Sequence, residues 1–126
     1  MISSTSDLGT ATWGGNGLSI PGTSVAIGAG EANTTAIVNG CSAAGIAARI
    51  CDDLIMGGYN DWFLPSKDEL NQMYLQRTTI GGFTGGGYWS STELNAGFAF
   101  FQVFAGGSQG YDGKNFGYHV RAIRAF

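Results

Sequence analysis

Nine carboxylates, one histidine, two cysteines and a pair of strand-borne serines are the side chains in this 126-residue chain best suited to acid–base, nucleophilic or metal chemistry. Paired carboxylates can act as general acid and base when their surroundings split their proton affinities. Asp52 and Asp53, however, fall on the polar face of a predicted helix. Asp68 and Glu69 fall in a helical first turn, where the macrodipole favours negative charge. Asp61 precedes a buried-looking "WFLP" and is expected to hydrogen-bond loop backbone. His119 with Ser90 or Ser91 would make a base and nucleophile, but no nucleophile elbow surrounds either serine. A single histidine excludes His-rich metal sites, and no EF-hand spacing is present, which leaves calcium held by carboxylates and carbonyls as the one open metal reading. Cys41 and Cys51 match no zinc spacing; they read either as two buried thiols or as a short-loop disulfide. "GAGEANTTAIV" leads through glycines into a helix but lacks G-x-G-x-x-G and Walker spacing. The residues thus point to no catalytic group, no metal and no cofactor, and the chain is expected not to be an enzyme.

The elements that would position these groups follow from pattern. Residues 1 to 33 read as Gly-punctuated irregular structure in which "TATW" and "SVAI" form short strands. Asn33 is the expected N-cap of "TTAIVNG", with Gly40 ending that helix. Ser42 is expected to cap "AAGIAARICDDLIM", whose Ala47, Ile50, Cys51 and Leu54 make one apolar stripe and whose stop is Gly57-Gly58. In "LPSKDELNQMYLQR", Ser66 and Glu69 spell an S-x-x-E capping box. Leu70, Met73 and Tyr74 are spaced for a core, and Lys67, Asn71 and Gln72 for water. "TTIGGFTGGG" reads as a loop. From Tyr88 onward "YWSSTE", "AFFQVFA" and "YHVRAIRAF" read as strands separated by "GGSQGYDGKNFG". The fold class is α+β: two helices, antiparallel strands and long Gly-rich loops.

Composition bounds the partners. The length suits one domain, residues 1–126. Six basic against nine acidic residues give a net charge of −3, with no basic patch for nucleic acid. Aromatics at 13% argue against disorder, and 22 glycines argue for many turns. No apolar run is long enough for a membrane span. The start "MISSTSDLGT" lacks the charged and apolar regions of a secretory signal.

The motif order adds a resemblance. "IGAGEANTTAIV", "AARICDDLIMGGYNDWFLPSKDELNQMY", "GGYWSSTE" and a terminal "VRAIRAF" resemble the C-terminal domain family of a collagen-like adhesin, within the C-type-lectin-like superfamily. The likeness runs from about residue 6 to the C-terminus, and "DWFLPSKDEL" with "YWSSTE" is its specific part. It implies a C-type-lectin-like fold and a ligand-recognition domain on a cell surface, secreted or on a virion, with a protein or glycan ligand. Related domains often trimerise, so a homo-oligomer is a further implied state, though no seam is readable. A related branch holds the formylglycine-generating enzyme; Cys41 and Cys51 lie by a helix instead of in the late loops, so that activity does not carry over.

The chain also resembles the variable proteins of diversity-generating retroelements. In that family, adenines of the Asn codons are mutated, and the products cannot be Met, Trp, Gln, Lys or Glu. The family frame falls on Ala99, Phe100, Gln102, Phe104, Gly107, Gln109, Lys114, Val120 and Arg121, with Phe100 standing where tryptophan is expected. Between Leu94 and His119 the unreachable types are Gln102, Gln109 and Lys114, all on frame positions. The resemblance therefore implies a variable region of about 94–119. Strand alternation puts Phe98, Phe100, Gln102 and Phe104 on one face and Ala99, Phe101, Val103 and Ala105 on the other. Phe100 and Phe104 are expected in the core and Phe101 and Val103 outside; Phe98 has core parity but a variable position. The candidate ligand-binding residues are Leu94, Asn95, Phe98, Phe101, Val103, Ser108, Tyr111, Asp112, Asn115, Phe116, Tyr118 and His119. Two alternatives stand beside this expectation: an undiversified adhesin domain binding glycans or other surface polymers, and an enzyme of the formylglycine-generating branch.

Overall fold

Local grammar is strongest at Ser66. Its hydroxyl accepts from Glu69 N–H at 3.3 Å, and Glu69 Oε1 accepts from Ser66 N–H at 2.9 Å, the reciprocal capping box. The computed structural model describes residues 2–125. In chain order the elements are β1 (Ile2–Ser3), β2 (Thr10–Thr12), α1 (Gly30–Gly40), α2 (Ala47–Asp52), α3 (Lys67–Leu75), α4 (Arg77–Ile80), β3 (Gly87–Glu93), β4 (Phe98–Val103), β5 (Gln109–Gly113), β6 (Gly117–His119) and β7 (Ile123–Arg124). The class is α+β. Strands β1 and β7 pair as a small antiparallel sheet, and the larger sheet has the order β2-β6-β3-β4-β5.

Glu69 does more than close its own helix. Its Oε1 and Oε2 also accept the amides of Gly30 and Gly28, each at 3.0 Å, so the carboxylate beginning α3 caps the start of α1 as well. The cap expected from Asn33 is therefore not used. Asn33 lies inside α1, buried, with its amide bonded to the N–H and C=O of Ser24 and to Ser91 Oγ. That arrangement also explains why "SVAI" is not a strand. Its backbone is held by Asn33, by Thr92 Oγ1 on Ser24 C=O, by Ser66 Oγ on Ala26 C=O and by Asp68 N–H on Val25 C=O.

Other expectations are corrected. There are four helices among the described residues, not two. Helix α2 starts at Ala47 with Ile46, not Ser42, at its N-cap. Its stripe survives: Ala47 and Cys51 are buried, Ile50 and Leu54 half-buried. Gly57 and Gly58 do not end a helix. Both have positive φ (62° and 83°) and Met56 and Tyr59 exchange both backbone bonds across them, a type I′ turn that glycine favours. Thr78–Ile80 of the expected loop is helical, in α4. The long separator before the terminal strands contains β5, and the terminal run is two short strands. The large sheet is also not wholly antiparallel, because β3 and β6 pair in parallel at Tyr88↔His119. Cys41 and Cys51 are two buried free thiols in this structure, the first of the two readings. Asp61 is held chiefly by a side chain and only secondarily by loop backbone, its own amide. It forms a two-pronged pair with Arg124 (2.7 and 3.0 Å), which holds its carboxyl below the usual range.

The core has two parts, and β3 supplies both because adjacent strand residues face opposite ways. Trp89 joins Trp13, Ile37, Ile46, Cys51, Trp62, Leu64 and Val120. Tyr88 joins Phe63, Leu70, Met73, Phe104 and Ile123 under α3. The segment Trp62–Ser66 is buried throughout, and Phe63 exchanges both backbone bonds with Ile123. It thus ties the helical middle of the chain to its C-terminal strand. Truncating Trp62, which is only 6% exposed, is expected to cost about 3–5 kcal/mol for Trp62→Ala in chemical denaturation. A near-neutral result would place Trp62 outside the core.

Candidate functional site

The surface where the candidate residues gather is the β4–β5 hairpin with its two flanking turns. Its register is Phe98↔Gly113, Ala99↔Asp112, Phe100↔Tyr111, Phe101↔Gly110 and Gln102↔Gln109. Directly paired residues share a face. Phe98, Phe100, Gln102, Gln109 and Tyr111 therefore lie on the α3 side, and Ala99, Phe101, Val103, Gly110 and Asp112 on the opposite side.

On the α3 side Phe104 is buried and meets Tyr74 edge-on at 5.6 Å, as its core role requires. Phe100, expected in the core, is instead half-buried. It lies beyond the helix start, under the Lys67 ammonium at 5.3 Å and edge-on to Tyr111. Phe98 stands edge-on to the same Tyr111 at 5.8 Å. Helix α3 covers only one end of the hairpin, so the aromatic row leaves the core as it runs from Phe104 to Phe98. Phe98 is 42% exposed, Tyr111 58% and Phe116 56%.

The opposite side is packed, which corrects the outward placement of Phe101 and Val103. Both are half-buried. Phe101 stacks on Tyr118 with centroids 4.5 Å apart, and Trp89 closes on both rings edge-on. Gly87 makes the stack possible: a Cβ there would come 2.6 Å from Tyr118 Cδ1 and 3.3 Å from Phe101 Cδ2. The Tyr118 hydroxyl donates to Asp112 Oδ2 at 2.5 Å. Burial and that neighbouring carboxylate together push the Tyr118 phenol up to about 12. Alternation assigned the two faces correctly; what it could not supply is that the face opposite α3 is also packed.

The remaining candidates divide. Leu94, Ser108 and Asn115 are exposed in the turns. Asn95 is exposed too, but its Oδ1 accepts the amides of Gly97 and Phe98 and so shapes the turn. Asp112 is half-buried and spends Oδ1 on Gly113 N–H. His119 does not join the hairpin. It lies on the Tyr88 side of β6, ring centroids 5.2 Å apart, with Nδ1 3.0 Å from Asp7 Oδ2 but out of line for a hydrogen bond. Asp7 Oδ2 is instead aligned with the Tyr88 hydroxyl at 2.6 Å.

Beyond the Phe101–Tyr118 stack, the hairpin is held by residues outside the candidate set. Lys114 is wholly buried, yet its ammonium donates to Glu93 Oε2 at 2.6 Å and Leu18 C=O at 2.9 Å, and lies 4.6 Å from the Trp13 ring centroid. The same Glu93 oxygen accepts Ile20 N–H. Gln102 is also wholly buried; its Nε2 donates to Asn71 Oδ1 and Gly107 C=O. Gln109 Nε2 donates to Gln102 Oε1 and Lys67 C=O. Phe100, Lys67 and these tethers were not expected at the site. Their sequence signal is the frame: Phe100, Gln102, Gln109 and Lys114 all stand on frame positions, and the last three are types that mutated Asn codons cannot give.

No three His, Cys, Asp or Glu side chains come together as a metal-holding group among the described residues. No helix is long and apolar enough to cross a membrane among them. A cleft of about 290 Å³ lies beside Gly82–Phe83 and is lined in part by Phe104 at the end of β4, and one of about 230 Å³ lies beside Met56–Tyr59. The chain matches no family model and no curated protein.

Two outcomes follow. Lys114→Met strands the Glu93 carboxylate and is expected to cost about 3–5 kcal/mol, while Lys114→Met with Glu93→Gln costs less than the two single changes summed; equilibrium unfolding of the four proteins checks this. Tyr118, with a folded pKa of about 12 against an ordinary 10.0, contributes stability that is complete below about pH 10 and is lost as pH rises through about 12. Thermal unfolding of Tyr118→Phe, which lacks the ionising group, is expected to fall less steeply across that window.

Proposed function

We propose that this domain is a non-catalytic ligand-recognition module of C-type-lectin-like fold, diversified over about residues 94–119 and displayed on a phage or bacterial surface. The observation that carries the reading is a division of labour in the hairpin. Gln102, Gln109 and Lys114, the types that adenine mutation of Asn codons cannot produce, supply the polar side-chain tethers of the hairpin to α3, β3 and the N-terminal loop, while the Phe101–Tyr118 stack packs its reverse face. Leu94, Phe98, Tyr111 and Phe116, which such mutation can produce, are exposed large side chains. Aromatic rings on turns held by a rigid base give large contact area at low entropic cost, and Ser108 and Asn115 add adaptable polar contacts. Buried Cys41 and Cys51, with the Cys51 thiol pushed up by burial, argue against the thiol-enzyme alternative.

The nucleotide neighbourhood tests the reading. It requires a reverse-transcriptase gene and a near-identical repeat of the 94–119 segment differing at adenines. Their absence would leave an undiversified adhesin domain. At protein level, changing Leu94, Phe98, Tyr111 and Phe116 singly to Ser is expected to move stability by no more than about 0.5 kcal/mol each. A loss of several kcal/mol at any of them would make it part of the scaffold.

A further inference from the structure

Strand β5 ends the large sheet and has one neighbour. Its register says which way each backbone group points. Val103 N–H bonds Ser108 C=O, and Lys114 N–H bonds Gly97 C=O. Hydrogen-bonded pairs alternate along an antiparallel ladder, so Gly110 and Asp112 turn their N–H and C=O groups toward β4. Gln109, Tyr111 and Gly113 turn theirs outward. Gly113 is closed off, since its N–H donates to Asp112 Oδ1 at 2.7 Å and its C=O accepts from Phe116 N–H at 3.0 Å. The outward backbone groups of Gln109 and Tyr111 have no partner among the described residues.

Open edges of this kind are ordinarily blunted by Pro, Lys, a bulge or a covering loop. "QGYDG" carries no Pro or Lys, and its one charge, Asp112, is directed to Tyr118 on the packed side. Apolar surface flanks the edge instead: Tyr111 on the strand, Phe98 beside it and Phe116 just beyond.

We propose that the β5 edge takes up an extended segment of a partner protein as an added strand. Gln109 and Tyr111 supply the backbone ladder, and Phe98, Tyr111 and Phe116 the side-chain contacts. This deepens the recognition reading above and rests on it. The two open residues repeat at roughly 7 Å along the strand, the spacing of another extended chain and not of glycan hydroxyls. A second copy paired through β5 is too small an occupant, because five residues face the roughly 20–30 per side of a stable interface. Backbone groups are also unchanged when side chains vary. The ladder therefore gives every variant without proline at position 111 a common affinity for extended chains, on which the exposed side chains impose the choice of sequence.

The probe is a linear-peptide library selected on the intact domain. Enriched peptides are expected to slow amide hydrogen exchange at Gln109 and Tyr111. Tyr111→Pro, which removes an N–H that β4 does not use, is expected to weaken them roughly fivefold or more beyond Tyr111→Ala. Should the proline variant unfold, the exchange result on the unaltered domain decides. Strand addition is overturned if no peptide enriches, if enriched peptides leave those two amides unprotected, or if protection arises from protein concentration alone, which would make the occupant a second copy. Binding that perturbs only Leu94–Phe98 and Asn115–Phe116 overturns strand addition while leaving the recognition reading in place.

Discussion

The buried contact between Lys114 and Glu93 joins parts of the chain that would otherwise hang separately. Lys114 follows β5, Glu93 ends β3, and their partners Leu18, Ile20 and Trp13 belong to the N-terminal loop. An ammonium withdrawn from water is tolerable only when its protons find acceptors and its charge an opposite. Here a carboxylate, a carbonyl and an aromatic face meet that demand at one point. Because the demand is strict, the geometry around it is strict: the β5–β6 turn, the β3 end and the Leu18–Ile20 loop must arrive together. The Gln102–Gln109 relay does the same at the other end of the hairpin, against Asn71 and Lys67 of α3.

Pinned at both ends, the hairpin can leave its middle lightly covered. Helix α3 reaches Phe104 and stops short of Phe98, so one aromatic row grades from core to solvent along a single strand. The reverse face is locked by the Phe101–Tyr118 stack over Gly87 and by Asp112 on the phenol. One face is rigid and the other open, and this asymmetry makes the open side suitable for contact. The same asymmetry leaves β5 with unpaired backbone at its outer edge.

Much of the helical grammar was legible because it is local. The Ser66–Glu69 box, the α2 stripe and the Leu70 and Met73 positions are fixed by spacing of a few residues. Where helix and cap positions depart from the local pattern, the main reason is a partner distant in sequence. Glu69 caps α1 from 39 residues away, which frees Asn33 to brace Ser24. Gly57-Gly58 makes a turn closed by Met56 and Tyr59, because the helix before it had already ended. At the hairpin, alternation separated Phe100 from Phe101 correctly but could not say which face is covered, since the cover comes from α3 and from Tyr118. His119 follows Tyr118 in β6, and adjacency in a strand places neighbours on opposite sides, so only Tyr118 reaches Phe101.

By itself the sequence determined the α+β class, the capped helix α3, the buried Trp62–Pro65 run and the two-faced strand β4, because each rests on short-range periodicity or on steric preference. It also marked Gln102, Gln109 and Lys114 as the types between Leu94 and His119 that mutated Asn codons cannot give. Only the tertiary structure decided what those three hold, which aromatic rings remain in water and that β5 stands at an edge. Burial and hydrogen-bond partnership are properties of the space between elements, and no single element's pattern contains them.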